Sequence, residues 1–307
     1  MLLGKNKILI TGGTGFLGNE LVRYLSKKFN IISTSKRKKK NFIHLNYPQK
    51  KIKNRIFNGV ETIIHLASLD REEVKKNYKK AKKINFNLTK ELIDSSIHSG
   101  VKNFIYISSV SVYGANLKIN TSENTKPKPI DGYSRIKLMC EKLLKQKSNR
   151  QKVLILRLSN IIGKPQNITK GYKKLFVPSI CLSALKKNMI VLKTNGQQYR
   201  DFLELDLFLK IISNFLKKID KIENFSVFNI SSSNSLKIYN VAKQISTIFD
   251  LNLNKKIEVI RGKKVREKKY SINNKKMRSF LNIKTKNNYN KTLFEIIKFL
   301  KNETRIS

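Results

Sequence analysis

Tyr133 and Lys137 have the spacing of a proton-transfer pair. They lie in a segment whose apolar residues recur three and four apart, so their side chains share one face of a predicted helix, about one turn apart. A phenol with an unperturbed pKa of about 10 is a poor base at neutral pH, and a nearby ammonium group stabilises its anion. The pair is a candidate acid/base site. A surface tyrosine beside a solvated lysine is the alternative.

Three glycines follow the first strand-like segment. Gly12, Gly15 and Gly18 lie where a predicted strand gives way to a predicted helix that begins near Phe16 and Leu17. Glycine permits positive φ in the turn, a close approach of the backbone to a pyrophosphate, and tight packing of helix on strand. The helix N-terminus offers N–H groups to phosphate. The pattern predicts a dinucleotide site, with a tight turn that binds nothing as the alternative.

The end of the second predicted strand bears on the choice of cofactor. Asp or Glu at this place binds the ribose hydroxyl of NAD, whereas this chain has Ser35 followed by Lys36 and Arg37. Ser35 carries no charge, and the two basic side chains could pair with a 2′-phosphate. The segment therefore favours NADP, unless the two cations simply begin the basic loop that follows.

Alternating strands and helices must position these residues. Short, nearly continuous apolar runs predict strands buried on both faces at Lys7–Thr11, Ile31–Thr34, Thr62–Ala67, Phe104–Ser108 and Val153–Leu158. Helical periodicity predicts helices between them at Leu17–Lys28, Asn85–Ser99 and Tyr133–Gln146. This alternation predicts an α/β fold with a doubly wound parallel sheet.

The alternation loosens beyond about residue 160. Further helices are predicted at Pro178–Lys187, Leu205–Lys218, Leu236–Phe249 and Lys291–Lys301. Short strands are predicted near Ile190–Leu192 and Val227–Ile230. No Pro/Gly/Ser-rich linker separates the two halves, so they are expected to pack on one another.

The composition excludes several classes of protein. A chain of 307 residues with 40% apolar residues can bury a sizeable core, which argues against disorder. Two cysteines, Cys140 and Cys181, cannot build a disulfide framework, and the three histidines form no cluster with them that would bind a metal. No apolar run approaches the ~18 residues of a membrane span, and the first residues, 1–7, lack a signal-peptide segment. We expect a cytoplasmic protein.

The formal charge of +45, from 65 basic and 20 acidic residues, raises the question of nucleic-acid binding. Nearly all of the excess is Lys, interleaved with Asn and Ile as A/T-rich codons would encode. No Arg-rich stripe with interleaved aromatic residues occurs, and Trp is absent. We expect no specific nucleic-acid binding, although the charge favours anionic ligands and membrane surfaces.

A series of ordered motifs over nearly the whole chain resembles the extended short-chain dehydrogenase/reductases, the NAD-dependent epimerase/dehydratase family. The motifs are Gly12, Gly15 and Gly18; His65-Leu66-Ala67-Ser68; Asn85; Ser108–Gly114; Tyr133–Lys137 with Glu141; Arg157–Gly163; Arg200-Asp201-Phe202; and Phe228-Asn229-Ile230. The resemblance implies a Rossmann domain over residues 1–160. A smaller, mainly substrate-binding α/β part would cover residues 161–307, with about 200–230 returning to the Rossmann domain.

The resemblance also implies a role for individual residues. The catalytic residues would be Ser109, which hydrogen-bonds the reacting oxygen, Tyr133 and Lys137. NAD or NADP would contact Gly12, Gly15, Phe16, Leu17, Gly18, Ser35, Arg37, Leu66, Ala67, Asn85, Tyr133 and Lys137. A nucleotide-diphosphate-sugar would contact Ser109, Asn160, Arg200 and Arg266. No metal is implied, and His65 is expected to be a structural histidine with satisfied hydrogen bonds.

Several reactions remain open. The family's dehydratases carry Asp-Glu directly after the catalytic hydroxyl, where this chain has Val110 and Ser111, so dehydration is disfavoured. The block at 109–114 favours an epimerase that acts by reversible hydride transfer through a keto-sugar, whereas Ser35 and its basic neighbours favour an NADPH-dependent keto-sugar reductase. A cofactor-binding regulatory or RNA-associated protein is a third possibility. The family's usual setting is polysaccharide biosynthesis, and its usual assembly is a homodimer, here through helices Asn85–Ser99 and Tyr133–Gln146.

Overall fold

The computed structural model of the chain describes residues 7–48, 52–285 and 288–305. The expectation of no signal segment rests on residues that lie mostly outside these ranges. The strands are β1 (Lys7–Thr11), β2 (Asn30–Ser35), β3 (Ile43–His44), β4 (Val60–His65), β5 (Asn103–Ser109), β6 (Lys152–Leu158), β7 (Asn160–Ile162), β8 (Met189–Val191), β9 (Tyr199–Glu204), β10 (Phe225–Ile230), β11 (Ser235–Lys237) and β12 (Glu258–Ile260). The helices are α1 (Phe16–Leu25), α2 (Arg71–Lys76), α3 (Tyr78–His98), α4 (Gly132–Lys147), α5 (Lys170–Lys173), α6 (Phe176–Lys187), α7 (Leu205–Lys217), α8 (Ile238–Leu253), α9 (Lys275–Leu281) and α10 (Tyr289–Arg305).

The central sheet has seven strands in the order β10-β6-β5-β4-β1-β2-β3. Every pairing from β6 to β3 is parallel. This confirms the predicted Rossmann-like α/β fold. The chain order runs one way from β1 to β3 and the other way from β4 outward, so the loops after β1 and β4 diverge at the point where such sheets bind ligands.

Burial on both faces explains why the central strands are continuously apolar. Leu9 and Ile10 of β1 and Ile63 and Ile64 of β4 have no exposed surface, and Leu9 pairs in register with Ile63. Burying each such side chain contributes roughly 1.5–3 kcal/mol. The strands therefore hold the loops at their carboxyl ends in fixed positions.

Two side-chain caps decide where the helices around the candidate site begin. The Asp131 carboxylate accepts hydrogen bonds from the backbone N–H and the hydroxyl of Ser134, which starts α4 one residue before Tyr133. The Asn77 side chain accepts from the backbone N–H of Lys80 and starts α3 seven residues before the prediction. The first two turns of α3 are rich in lysine, so apolar periodicity could not show them.

Short elements account for most of the differences from the sequence expectations. α2 was not predicted, although Asp70 and Glu73 form a capping box at its start. The second half contains two small sheets, β11-β9-β7 and β12-β8, of which only β8 was predicted. Strands of three residues carry too little alternation to be recognised from sequence.

The described residues separate into two compact units. Unit 1 holds residues 7–48, 52–116, 123–158 and 211–229, and unit 2 holds 117–122, 159–210, 230–285 and 288–305. Of the segment at about 200–230, residues 211–229 lie in unit 1. The assignment of cofactor binding and substrate binding to separate parts of the chain stays a prediction.

The described helices differ from membrane spans in length or in apolarity. None of those in residues 7–48, 52–285 and 288–305 is both long and apolar enough to cross a membrane.

Candidate active site

The loop between β1 and α1 forms a cradle that leaves no room for side chains. Gly12 has a φ of +76°, and a Cβ atom there would lie 2.9 Å from a backbone nitrogen of the loop after β4. A Cβ atom on Gly18 would lie 2.1 Å from the carbonyl oxygen of Gly12. Gly15 is the N-cap of α1 and has no side-chain cap, so the positive end of the helix dipole, at Phe16 and Leu17, lies at this loop. The cradle suits a pyrophosphate.

β2 ends beside the same loop, and two cations follow its last residue. The backbone N–H of Gly12 donates to Thr34 Oγ1 at 3.3 Å, which joins the loop to β2. The next residue, Ser35, is buried, and its Oγ accepts from the backbone N–H of Arg37 at 3.2 Å. Lys36 and Arg37 are exposed. Their positions suit contact with the adenosine ribose of a dinucleotide.

A chain of hydrogen bonds connects β1, β4 and α3 through an imidazole. The backbone N–H of Ala67 donates to Thr11 Oγ1, which lies 2.6 Å from His65 Nδ1. On the other side, His65 Nε2 lies 2.9 Å from Thr89 Oγ1, whose hydroxyl donates to the carbonyl of Asn85. Because the Thr89 hydroxyl donates its proton to the carbonyl of Asn85, it accepts from His65 Nε2. Nδ1 of His65 therefore accepts from the Thr11 hydroxyl. The expected structural histidine is confirmed.

The surroundings of His65 keep its ring neutral. Burial, and then the charge of Lys137, lower the pKa of His65 from 6.5 to about 3. The rings of Phe104 and Tyr106 lie 5.9 and 5.6 Å from the imidazole. A histidine of this kind supports the site and is not an acid or base at neutral pH.

Asn85 fixes the loop after β4. Its Oδ1 accepts from the backbone N–H of Leu69 at 2.7 Å, and its Nδ2 donates to the carbonyl of the same residue at 3.2 Å. Leu66 and Ala67, which precede this anchor, are half-buried next to the glycine loop. Asn85 therefore holds the backbone of the candidate cofactor site through Leu69.

α4 places Tyr133 and Lys137 against the carboxyl end of β5. Lys137 is 4% exposed, and its Nζ donates to the carbonyl of Ile107 at 2.8 Å. The same Nζ lies 5.7 Å from the centre of the Tyr133 ring. Ser109 ends β5 two residues after Ile107 and is half-buried, with its Oγ accepting from the backbone N–H of Ser111. The buried ammonium group of Lys137 thus lies near the Tyr133 ring and is hydrogen-bonded to the end of β5 that carries the Ser109 hydroxyl.

The amino-acid sequence matches the model of the NAD dependent epimerase/dehydratase family over residues 8–231. The chain belongs to this family. The predicted resemblance is thereby confirmed.

Characterised relatives carry out more than one reaction. A dTDP-D-glucose 4,6-dehydratase of Dictyostelium discoideum is 29% identical over 79% of the chain, which spans 62% of that longer relative. A UDP-glucose 4-epimerase of Lactobacillus helveticus is 26% identical over 79% of the chain and 82% of its own length. The solved structure of MoeE5 in complex with UDP-glucose and NAD has a TM-score of 0.83 at 19% identity, covering 97% of this chain and 100% of the other, and it shares the fold.

In this member of the epimerase/dehydratase family a buried ion pair stands behind the site. Arg157 on β6 and Glu141 on α4 approach to 2.7 Å, with both side chains nearly inaccessible. Glu141 also accepts from the hydroxyl of Ser108, and Arg157 donates to the hydroxyl of Tyr113. Burial alone would lower the pKa of Arg157, but the hydrogen bonds and charge of Glu141 outweigh it and raise the pKa. The pair connects the residue before Ser109 to the helix of Tyr133.

Three of the predicted substrate residues of this family member, Asn160, Arg200 and Arg266, lie in unit 2, whereas Ser109 lies in unit 1. Asn160 on β7 donates from Nδ2 to the carbonyl of Asp201 on β9, so it lies on the strand next to that of Arg200. The Arg200 guanidinium lies 5.5 Å from the centre of the Phe176 ring. Arg266 is exposed in the loop after β12. The structure thus places Asn160 and Arg200 on neighbouring strands.

Arg71 is a site residue that the sequence analysis missed. It is the first residue of α2, and its guanidinium carbon lies 5.4 Å from the centre of the Tyr133 ring. The capping-box pattern of Asp70 and Glu73 was a signal for this helix start. Which ring Arg71 would reach depends on how α2 packs against α4, and local sequence does not show that.

The side chains that commonly bind metals are dispersed over the part of the chain that the structure describes. There, no group of three or more His, Cys, Asp or Glu side chains is placed to hold a metal ion.

Proposed function

We propose that this member of the epimerase/dehydratase family is an NAD(P)-dependent nucleotide-sugar epimerase. The observation that carries the proposal is the buried ammonium group of Lys137, 5.7 Å from the Tyr133 ring and bonded to β5 two residues before Ser109. A buried cation beside a phenol favours the anionic form that can remove a proton from a sugar hydroxyl. These three residues are dispensable for forming a Rossmann sheet, so their arrangement favours catalysis over a regulatory or RNA-associated role.

Each side chain would have one task at the reacting oxygen. Tyr133 Oη would take the proton of the sugar hydroxyl and later return it. Ser109 Oγ would hydrogen-bond the same oxygen as it becomes a carbonyl, and Lys137 would stabilise the phenolate. When bound, the nicotinamide cofactor supplies a reversible acceptor for the hydrogen of the sugar carbon. Epimerisation needs no further acid or base. The keto-sugar would rotate in the site, and the hydride would return to the opposite face of the same carbon.

The residues around the glycine loop would hold that cofactor. Gly12, Gly15 and Gly18 would admit the pyrophosphate to the start of α1, because a side chain at Gly12 or Gly18 would clash with backbone atoms. Exposed Lys36 and Arg37 at the end of β2 supply positive charge for a 2′-phosphate and support NADP.

The block after β5 supports epimerisation over dehydration. Val110 is buried and Ser111 is a hydroxyl residue, so neither supplies the carboxyl group that would remove or donate a proton during loss of water. The substrate would be a nucleotide-diphosphate-sugar, with Asn160, Arg200 and Arg266 of unit 2 holding the diphosphate. An NADPH-dependent keto-sugar reductase is the second candidate, and the exposed Lys36 and Arg37 favour it.

The Tyr133→Phe substitution tests the proposal. We expect epimer formation, followed by NMR on UDP- and dTDP-linked hexoses, to fall by about 10²–10⁴-fold because the acid/base group is lost. Binding of NADH and NADPH, measured by fluorescence, should be unchanged. Tyr24→Phe removes a phenol hydroxyl from α1 and is the matched control.

Other results of these assays would indicate a different mechanism or a different activity. Full turnover in Tyr133→Phe would remove Tyr133 from the mechanism. NADPH consumption on keto-sugars without epimer formation would assign a reductase, and a 4-keto-6-deoxy product would assign a dehydratase. If the unsubstituted protein bound neither NADH nor NADPH, the glycine loop would not be a dinucleotide site.

A further inference from the structure

Among the described residues, two cations lie within 6 Å of the centre of the Tyr133 ring. Lys137, on the same helix, is one of them, at 5.7 Å, and Arg71, from α2, is the other, at 5.4 Å. Lys137 is buried, whereas the Arg71 side chain is 56% exposed. The resemblance to the epimerase/dehydratase family assigns a role to the lysine and none to the arginine.

The guanidinium group of Arg71 also makes an ion pair, which holds it over the Tyr133 ring. Its Nη1 donates to the carboxylate of Asp131, and the other oxygen of that carboxylate caps α4 through Ser134. The ion pair therefore joins the first residue of α2 to the first turn of the helix that carries Tyr133. An ion pair as exposed as this one contributes little to stability. Its position next to the phenol needs another explanation.

The other groups around Tyr133 do not supply a comparable charge. Lys137 of α4 and Arg71 of α2 lie over its ring, and Tyr106 of β5 interacts with it. Asp131, just before α4, pairs with Arg71, and Tyr78 at the start of α3 packs on Gly132, next to Tyr133 in the chain. The pKa of Tyr106 is raised well above its usual value, first by burial, so it stays neutral. Of the two cations, Arg71 is the one that is exposed to solvent.

We propose that Arg71 is a positioning residue for the acid/base reaction of Tyr133. Its guanidinium group favours the phenolate by its charge and, through Asp131, fixes the first turn of α4. The inference rests on the proposed function, because it assumes that Tyr133 changes its protonation state during the reaction. Unlike Lys137, Arg71 is exposed to solvent, so its electrostatic effect on Tyr133 weakens as salt is added.

The ionisation of Tyr133 tests this directly and needs no substrate. Tyrosinate absorbance is followed against pH in the unsubstituted protein and in Arg71→Gln, and each curve is corrected by the same protein carrying Tyr133→Phe. The corrected curves report the Tyr133 phenol. Because the guanidinium group lies 5.4 Å from the ring centre, loss of its positive charge should move the midpoint of Arg71→Gln to higher pH. Arg71→Lys keeps the charge and should recover at least half of that shift.

A matched variant separates this effect from general charge. Arg135→Gln removes the same charge from the exposed side of α4 and should move the midpoint less than Arg71→Gln does at physiological salt. An unchanged midpoint in Arg71→Gln, or equal shifts in Arg71→Gln and Arg135→Gln, would overturn the proposal. Circular dichroism at each pH shows whether a variant stays folded.

Failure of this inference and failure of the proposed function look different. If Tyr133→Phe abolishes turnover and the Tyr133 midpoint ignores Arg71, only the inference fails. If Tyr133→Phe retains turnover, the proposed mechanism fails, and a midpoint shift in Arg71→Gln would then show electrostatic coupling without a catalytic use, which also overturns the positioning role.

Discussion

His65 illustrates how one neutral side chain supports the candidate site. The ring accepts a hydrogen bond from Thr11 and donates one to Thr89, so it connects the end of β1 to α3 in a single tautomer. A second proton would force Nδ1 to donate toward a hydroxyl that is already donating to it. The buried ring therefore resists protonation, in agreement with a pKa of about 3.

This resistance predicts a specific loss of stability in acid. In the unfolded chain the histidine takes up its proton near pH ~6.5, but in the folded protein it does so only near pH 3. Between these values the unfolded state binds more protons, so the free energy of unfolding falls as pH falls, by up to about 1.4 kcal/mol per pH unit. The contribution is fully present above pH ~6.5.

The measurement is urea unfolding at several pH values from 7 to about 4.5, for the unsubstituted protein and for His65→Gln. Gln cannot titrate, so its variant lacks this one acid-dependent term while it retains all the others. We expect the difference in unfolding free energy between the two proteins to shrink as pH falls. Two curves that stay parallel over this range would contradict the assignment.

At the scale of elements, α1 depends on Gly18 to lie close to the loop that precedes it. A Cβ atom on Gly18 would meet three backbone atoms of Gly12 and Gly13 at 2.1–2.9 Å, and backbone cannot turn aside as a side chain can. Gly18→Ala should push the start of α1 away from the loop. We expect a loss of about 1–3 kcal/mol in unfolding free energy and at least a tenfold loss in affinity for NADH and NADPH.

Gly171→Ala is the control for that experiment. A Cβ atom on Gly171 of α5 would meet only a hydroxyl at 3.9 Å, so its unfolding free energy should change by about 1 kcal/mol or less. Fluorescence titration with both cofactors and urea unfolding give the two quantities. Equal cofactor affinities in the two variants would mean that the glycine loop does not hold the dinucleotide.

The elements differ in how much of them the sequence could predict. The predicted strand Lys7–Thr11 has the bounds of β1, because burial on both faces leaves an unbroken apolar run. α4 was predicted within one residue at either end, and Tyr133 and Lys137 with it. β9 was missed, because its sequence YRDFLE mixes charged and apolar residues. Pairs between elements, such as Arg71 with Tyr133, arise only from packing and carry no local signal.

For the whole molecule, the positive charge has opposite effects on two kinds of association. A formal charge of +45 attracts nucleic acids of any sequence weakly, and added salt steeply weakens this binding. The same charge makes two copies of the chain repel each other, and salt screens that repulsion. Salt dependence therefore separates general electrostatic binding from a specific interface between copies.

We predict a homodimer through α3 and α4 that tightens as salt is added. The two helices pack on each other in unit 1, with Lys147 Nζ 2.7 Å from Asp94 Oδ1. They leave several apolar side chains only half-buried: Phe86, Ile97, Leu138, Met139 and Leu143. Burying these against a second copy is favourable, whereas like charges oppose the approach. Sedimentation equilibrium from about 0.01 to 0.15 M salt, over which the screening length falls from ~30 to ~8 Å, should show stronger dimerisation.

Two glutamate substitutions locate the interface in that experiment. Met139→Glu places a charge on the half-buried face of α4 and should weaken the dimer by at least tenfold, because a carboxylate buried without a partner is costly. Leu251→Glu makes the same change at a leucine that is 78% exposed on α8 and should leave the dimer intact. A monomer at every salt concentration would refute the dimer. Equal effects of the two substitutions would place the contact elsewhere, since only one of them lies on the α3–α4 face.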